Sequence, residues 1–216
     1  MTEAQMILKP LSPDLFEAIA SEPTVQIIDC RAPQDFGSGF VPRAINIQFK
    51  GSFSMWLTTL VPDTNQRLLI VAEAGQVQEL ENLLSGLGYT NCAGYLEGGM
   101  NAWISAGKAL DQITSIEVSE LTTVAASGDA KIIDVRGEDE FEKQHVANAI
   151  NAPVDSLLTK PGPGDQNETY YVHCGGGSRA MMYASILKSR GYKNIFDIRG
   201  GFKAIKESGQ LVLTTA

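Results

Sequence analysis

The chain has few cysteines, only two histidines and no long apolar run. Its three cysteines, Cys30, Cys92 and Cys174, are an odd number without Cys-x-x-Cys spacing, which argues against a disulfide framework and against a zinc site. No stretch approaches the roughly 20 apolar residues that a membrane helix needs. Residues 1–20 contain an acidic residue near their start and only short apolar runs, so they lack a signal-peptide pattern. We therefore expect a cytoplasmic protein that holds no metal.

Positive charge is scarce as well. The 17 Lys and Arg residues stand against 25 Asp and Glu residues, for a net charge of -8. Such a surface repels phosphate backbones and anionic lipid, so we expect neither nucleic acid nor a membrane as a partner. The content of 44% hydrophobic and 19% charged residues is typical of a globular protein and excludes disordered and fibrous classes. The length of 216 residues fits one large domain or two small ones.

An internal repeat decides between one domain and two. Residues 27–47 read IIDCRAPQDFGSGFVPRAINI, and residues 132–152 read IIDVRGEDEFEKQHVANAINA, at a constant offset of 105 positions. A second pair of similar segments is GYTNCAGYLEGGMNAW in the first repeat and GYKNIFDIRGGFKAI in the second. One fold is therefore built twice, and the predicted domains are residues 1–112 and 113–216.

Short apolar runs alternate with helical stretches in each repeat. The predicted strands are VQIID, LLIVA and AGYLE in the first repeat and KIIDV, TYYVH and IFDI in the second. The segments QVQELENLLSGLGY and SRAMMYASILKSRGY have apolar residues at intervals of three and four and end at Gly88 and Gly191, the C-cap positions. This alternation predicts the α/β class, with a small parallel sheet in each domain and helices on both of its faces. Chemistry is expected where the strands end.

The segment that follows the strand TYYVH contains the candidate nucleophile. It reads C-G-G-G-S-R over residues 174–179 and leads into a helix. Consecutive glycines let backbone N–H groups turn inward, and the helix start adds N–H groups and partial positive charge. Because a thiolate is favoured near helix N-termini and cations, we expect Cys174, beside Arg179, to be ionised and open to solvent. The structural alternative is that Cys174 packs as a small hydrophobic residue and the glycines only form a turn.

Each repeat resembles the rhodanese family over nearly its whole length. The resemblance rests on IIDVR, EF, HVANAIN, the six-residue C-G-G-G-S-R loop and GYKNIFDIRGGFKAI. It implies a sulfurtransferase without metal or organic cofactor, in which Cys174 takes sulfane sulfur from thiosulfate or a persulfide and passes it to a thiol or to cyanide. Arg179 would bind the anionic donor, and backbone N–H groups would hold the outer sulfur. The implied substrate-binding residues are Gly175, Gly176, Gly177, Ser178 and Arg179.

Two other functions stay open at this point. The first is a non-catalytic rhodanese-like module for binding or regulation in sulfide metabolism, which would use the apolar cluster at residues 53–57 to dock a protein that delivers or receives sulfur. The second is a Cys-dependent phosphatase or arsenate reductase. Tyrosine-phosphatase-type loops are longer between Cys and Arg than the four residues 175–178 of this chain, which disfavours the second alternative.

The first repeat lacks a nucleophile. Its loop LLIVAEAGQVQE puts Val71, Ala72 or Glu73 at the position of Cys174. With its cysteine-free VAEAG loop and its AGYLEGGMNAW ending, it resembles the first of two rhodanese units that follow a metallo-β-lactamase-like persulfide dioxygenase in some bacterial fusion proteins. This resemblance implies a sulfur carrier or a persulfide dioxygenase as a protein partner. The chain itself has no His-x-His-x-Asp-His motif, so we expect no dioxygenase activity from it.

Several polar residues near the predicted strand ends receive a structural interpretation. Asp134 and Arg136 follow a strand of the second repeat, and the first repeat has the same pair as Asp29 and Arg31. Because the pair also occurs without a nucleophile, we expect it to brace loops through a salt bridge. His173 precedes the nucleophile and should point to the opposite face of its strand.

Overall fold

The computed structural model describes residues 8–128 and 130–215. The ends of the two predicted domains, residues 1–7 and 216, lie outside the described residues, as does residue 129. Strands and helices alternate in both repeats, and each repeat has its own parallel sheet. The prediction of the α/β class with a small parallel sheet in each repeat is thereby confirmed. In the described part of the chain, no helix is both long enough and apolar enough to cross a membrane.

The described residues group into two compact units. The first contains the chain up to Ala32 together with Phe40–Asp111. The second contains Pro33–Gly39 together with the chain from Gln112 onward. A short piece of the first repeat therefore belongs with the second unit, a feature that the sequence repeat did not suggest. The boundary at residue 112 stays a prediction.

The first repeat forms a five-stranded parallel sheet with helices between its strands. The elements of this repeat are, in chain order, β1 (Pro10–Leu11), α1 (Pro13–Ala20), β2 (Gln26–Asp29), α2 (Pro33–Ser38), β3 (Ile45–Asn46), α3 (Phe53–Leu60), β4 (Leu68–Val71), α4 (Val77–Gly86), β5 (Cys92–Leu96) and α5 (Gly99–Ser105). The strand order is β1-β5-β4-β2-β3, with β4 in the centre. All four side chains of β4 are buried, as expected for a strand of a sheet that is covered on both faces.

The second repeat has the same topology. Its elements are, in chain order, β6 (Thr114–Ile116), α6 (Val118–Ala125), β7 (Lys131–Asp134), α7 (Glu138–Lys143), β8 (His145–Val146), β9 (Ile150–Asn151), β10 (Thr169–His173), α8 (Ser178–Ser189), β11 (Asn194–Ile198), α9 (Gly201–Ser208) and β12 (Leu213–Thr214). The strand order is β6-β11-β10-β7-β9, and the pairing is parallel throughout. The short strands β8 and β12 form a separate antiparallel pair.

The two helices that were predicted from apolar spacing are α4 and α8. A glycine with positive φ follows each of them within two residues, Gly88 at +87° and Gly191 at +92°. This backbone conformation favours glycine, which has no β-carbon to clash with the carbonyl oxygen. The predicted role of both glycines in ending the helices is confirmed.

Strand register aligns the two repeats residue by residue. In the first unit Val71 of β4 pairs with Asp29 of β2. In the second unit His173 of β10 pairs with Asp134 of β7. Val71 and His173 therefore occupy the same place, and the residue after each strand does too. Of the three candidates left open by the sequence, Ala72 is the counterpart of the predicted nucleophile.

Candidate active site

The predicted nucleophile lies at the carboxyl end of the central strand of the second sheet. β10 ends at His173, Cys174 follows, and residues 175–177 lead directly into α8. Gly177 has a φ of +114°, a conformation that side chains disfavour. Its N–H donates a hydrogen bond to Sγ of Cys174, with an N···S distance of 3.0 Å. The glycine run thus folds back over the sulfur and turns an amide toward it.

Cys174 is buried, with 1% of its surface exposed. The expectation of a sulfur open to solvent is therefore wrong for this structure. The backbone N–H of Phe202 donates to the carbonyl of Cys174 at 2.6 Å, and that of Lys203 donates to the carbonyl of Gly175 at 3.2 Å. These two bonds hold the loop against the start of α9. Sequence reasoning missed this contact because the donors come from a later element of the chain.

Arg179, in the first turn of α8, is paired with a carboxylate. Its Nη1 donates to Oε2 of Glu140 at 2.6 Å, and its Nη2 donates to Oε1 at 3.1 Å. The pKa of Arg179 is raised, most of all by the hydrogen bond to Glu140 and further by its interaction with Cys174. The same hydrogen bond lowers the pKa of Glu140. Arg179 was predicted from the sequence. Glu140 belongs to the EF segment of the resemblance, but its pairing with Arg179, 39 positions later, was not predicted.

The Asp and Arg pair at the end of β2 and of β7 has the predicted structural role. In the second unit Nε and Nη2 of Arg136 donate to the carboxylate of Asp134 at 2.9 and 2.6 Å. Nη2 also donates to the carbonyl of Gln144 at 2.7 Å, which braces the following loop. The guanidinium lies 3.7 Å from the centre of the Phe202 ring, a cation–π contact. The equivalent pair is Asp29 and Arg31.

His173 is completely buried beneath this region. Its Nε2 lies 3.9 Å from Oδ2 of Asp134, and neither ring nitrogen has a hydrogen-bond partner among the described residues. Burial lowers its pKa to about 4. The imidazole is therefore neutral near pH 7, which agrees with a structural role and not with proton transfer.

The other two cysteines have surroundings that oppose ionisation. Cys30 is buried, and desolvation raises the pKa of its thiol well above the ordinary value. Cys92 is partly buried, and burial raises its pKa to about 12. All three cysteines are free thiols. A thiolate is strongly disfavoured at Cys30 and Cys92, which supports their interpretation as small hydrophobic residues.

The first unit has no nucleophile at the equivalent place. The methyl side chain of Ala72 is buried there, and the exposed carboxylate of Glu73 follows it. A 3-10 turn at Ala74–Gln76 then leads into α4. This loop has neither the glycine run nor the arginine of the second unit. That the first domain is inactive stays a prediction, with this loop as its support.

Known proteins share this sequence pattern. Two stretches of the chain, residues 12–106 and 117–208, match the rhodanese-like domain family. A tRNA sulfurtransferase from Thermoplasma acidophilum is 33% identical over 107 residues, which are 46% of this chain and 21% of that protein. Thiosulfate sulfurtransferase GlpE from Coxiella burnetii is 30% identical over 95 residues, which are 44% of this chain and 86% of that protein.

Solved structures include a protein with similarity along most of the chain. The match to the crystal structure of a thiosulfate sulfurtransferase from Pseudomonas aeruginosa covers 94% of this chain and 42% of that chain, at 19% identity and a TM-score of 0.41. The family matches alone cover well over half of the present sequence and fall once in each repeat. The chain therefore belongs to the rhodanese-like family and contains two such domains in tandem.

Proposed function

We propose that the chain is a sulfurtransferase that moves sulfane sulfur from thiosulfate or a persulfide to a thiol or to cyanide through a persulfide on Cys174. The observation that carries the proposal is the hydrogen bond from the N–H of Gly177 to Sγ of Cys174. An amide donor at the sulfur stabilises negative charge, both on the attacking thiolate and on the persulfide that replaces it. Membership of the rhodanese-like family and the names of the sulfurtransferase relatives support the reaction class.

The proposed cycle balances without an external oxidant or reductant. The thiolate of Cys174 attacks the outer sulfur of thiosulfate, the S–S bond of the donor breaks, and sulfite leaves with the electron pair. With a persulfide donor, the leaving group is the donor thiolate. An acceptor thiolate or cyanide then attacks the outer sulfur on Cys174, and the enzyme thiolate is released as the leaving group.

The loop around Cys174 supplies the binding groups in this proposal. The N–H groups of residues 175–178 hold the outer sulfur, and Arg179 stabilises negative charge beside it. Because Cys174 is buried, a donor reaches the sulfur only after a local shift of the loop or of the start of α9. The first domain acts as a scaffold. Neither a metal nor an organic cofactor takes part, and the location is the cytoplasm.

The burial of Cys174 also favours a second candidate, a rhodanese-like module for binding or regulation. In such a module the first domain docks a sulfur carrier or a persulfide dioxygenase, in keeping with the resemblance to fusion proteins. Met55 of α3, in the apolar cluster at residues 53–57, exposes about half of its surface, whereas Phe53 and Leu57 are buried. The exposed part of the cluster would form the docking surface.

Intact mass spectrometry separates the two candidates. The purified protein is incubated with thiosulfate or with glutathione persulfide and then treated with cyanide. Transfer chemistry predicts a mass gain of one sulfur atom that cyanide removes and that Cys174→Ser abolishes, while the control Cys92→Ser keeps it. No gain with either donor would contradict the sulfurtransferase proposal and favour the binding module.

A further inference from the structure

We propose that Glu140 sets the charge of the accepted sulfur donor, so that a persulfide, whose reacting end carries at most one negative charge, is preferred over the thiosulfate dianion. This inference rests on the proposed function of Cys174 and adds a specificity-determining residue to it. The Glu140 carboxylate lies beside the loop and forms an ion pair with Arg179.

Both terminal nitrogens of the Arg179 guanidinium donate to the same carboxylate. Nη1 and Nη2 each donate to a different oxygen of Glu140, at 2.6 and 3.1 Å. This fork geometry is the strong form of an Arg and carboxylate pair. The positive charge of Arg179, which would bind an anionic donor, is thus already neutralised by Glu140 before the donor binds.

The pair lies directly beside the residue that follows the nucleophile. A β-carbon placed on Gly175 would be 3.2 Å from Nη2 of Arg179 and 4.0 Å from Oε1 of Glu140. The side chains of Arg179 and Glu140 expose 28% and 37% of their surface. A donor at the loop therefore meets the carboxylate and the guanidinium together.

Glu140 is held in this orientation by its own helix. It lies in the first turn of α7, and the backbone N–H of Gly137 donates to its Oε2 at 3.3 Å. The hydrogen bond from Arg179 lowers the pKa of Glu140, so the carboxylate keeps its charge near pH 7. A fixed negative charge next to the loop disfavours a second negative charge on the donor.

Arg136 also attracts the Glu140 carboxylate, but the charge of Arg136 is already balanced by Asp134. Arg136 is buried and donates to Asp134 and to the carbonyl of Gln144. Lys203 contacts the loop through its backbone N–H, and its side chain is exposed, where water and salt screen its charge. The balance at the loop is consequently decided by Arg179 and Glu140.

The test compares the two donors on matched variants. Rates of sulfur loading on Cys174 are measured with thiosulfate and with glutathione persulfide for the wild type, Glu140→Gln and Glu142→Gln. Glu142 is exposed on the same helix, so its substitution makes the same charge change away from the loop. We expect Glu140→Gln to raise kcat/KM for thiosulfate relative to the persulfide about tenfold, mainly through KM, and Glu142→Gln to leave the ratio unchanged.

Each contrary result has a distinct meaning. If Glu140→Gln changes both donors by the same factor, or lowers thiosulfate use selectively, Glu140 only positions Arg179 and the inference is overturned. If both glutamate variants shift the ratio equally, the effect belongs to net charge and not to this site, which also overturns it. If the wild type takes sulfur from neither donor, the proposed function itself fails, and the inference falls with it.

Discussion

Gly201, the first residue of α9, lies against the carbonyl oxygen of Cys174. A β-carbon on Gly201 would be only 2.4 Å from that oxygen, and Gly201 has a φ of +59°. The equivalent Gly99 has nearly the same φ, +58°, but its β-carbon would lie 3.7 Å from the carbonyl oxygen of Ala72. The close approach therefore occurs in the repeat that carries Cys174 and not in the first repeat.

This difference predicts unequal effects of Gly201→Ala and Gly99→Ala. Both substitutions place a side chain at positive φ, which costs about 1 kcal/mol of stability. Gly201→Ala must also push the carbonyl of Cys174 away, and a misplaced nucleophile lowers the rate of sulfur loading by about a hundredfold. Urea unfolding and loading rates measure the two effects. An equal loss of rate in both variants would show that the close approach does not position Cys174.

Introducing a thiol at position 72 of the first domain should not produce sulfur-loading activity there. In a Cys174→Ser background, we expect Ala72→Cys to gain no sulfur from thiosulfate or glutathione persulfide. The loop after Ala72 has no glycine run and no arginine, and the carboxylate of Glu73 follows directly, so a thiolate is disfavoured there. Intact mass measures the outcome. A sulfur gain on this variant that cyanide removes would disprove the requirement for the glycine loop.

His173 should make the protein sensitive to acid. Burial lowers its pKa to about 4 from the ordinary value of 6.5. As the pH falls from 6.5 to 4, the unfolded chain binds a proton that the folded chain does not, so the free energy of unfolding decreases through this window. The variant His173→Val introduces the residue found at the equivalent Val71. Between pH 6.5 and pH 4 we expect its free energy of unfolding to decrease by about 3 kcal/mol less than that of the wild type.

Urea unfolding of the wild type and of His173→Val at pH 7 and pH 4.5 tests this prediction. The two pH profiles should diverge below pH 6.5. Parallel profiles would mean that the imidazole gains its proton equally well in the folded state, through local opening around β10.

Asp197 should have the opposite pH dependence. Burial raises its pKa to about 6, although the hydroxyl of Ser115 donates to its Oδ2 at 2.9 Å. The unfolded chain loses this proton near pH 4 and the folded chain only near pH 6, so stability decreases as the pH rises from 4 to 6. We expect Asp197→Asn to stabilise the second unit by about 3 kcal/mol at pH 7.5 and by almost nothing at pH 4. Thermal melting at both pH values measures the difference, and an equal gain at both would refute the buried charge as its cause.

Much of the fold could be predicted because its signals are local. The runs LLIVA and TYYVH became central strands, and Gly88 and Gly191 took the positive φ that follows a helix. Short strands such as Pro10–Leu11 and Ile45–Asn46 were not predicted, since two residues carry no measurable alternation.

The candidate site was predicted in part. The loop from Cys174 to Arg179 could be identified because its residues are adjacent in the chain and their backbone preferences are intrinsic. The role of Glu140 could not be predicted, although it belongs to the EF segment, because only packing brings its carboxylate to Arg179, 39 positions later.

The duplication, the strand and helix pattern and the glycine loop after Cys174 could all be predicted from the amino-acid order, since each depends on residues that are close in the chain. Three further features could not be predicted before the fold was known: Ala72 is the counterpart of Cys174, the start of α9 is hydrogen-bonded to the loop, and Glu140 pairs with Arg179. These three depend on strand register and on hydrogen bonds between separate elements. Such contacts form when the whole sheet and its helices pack, and a linear pattern does not encode their partners individually.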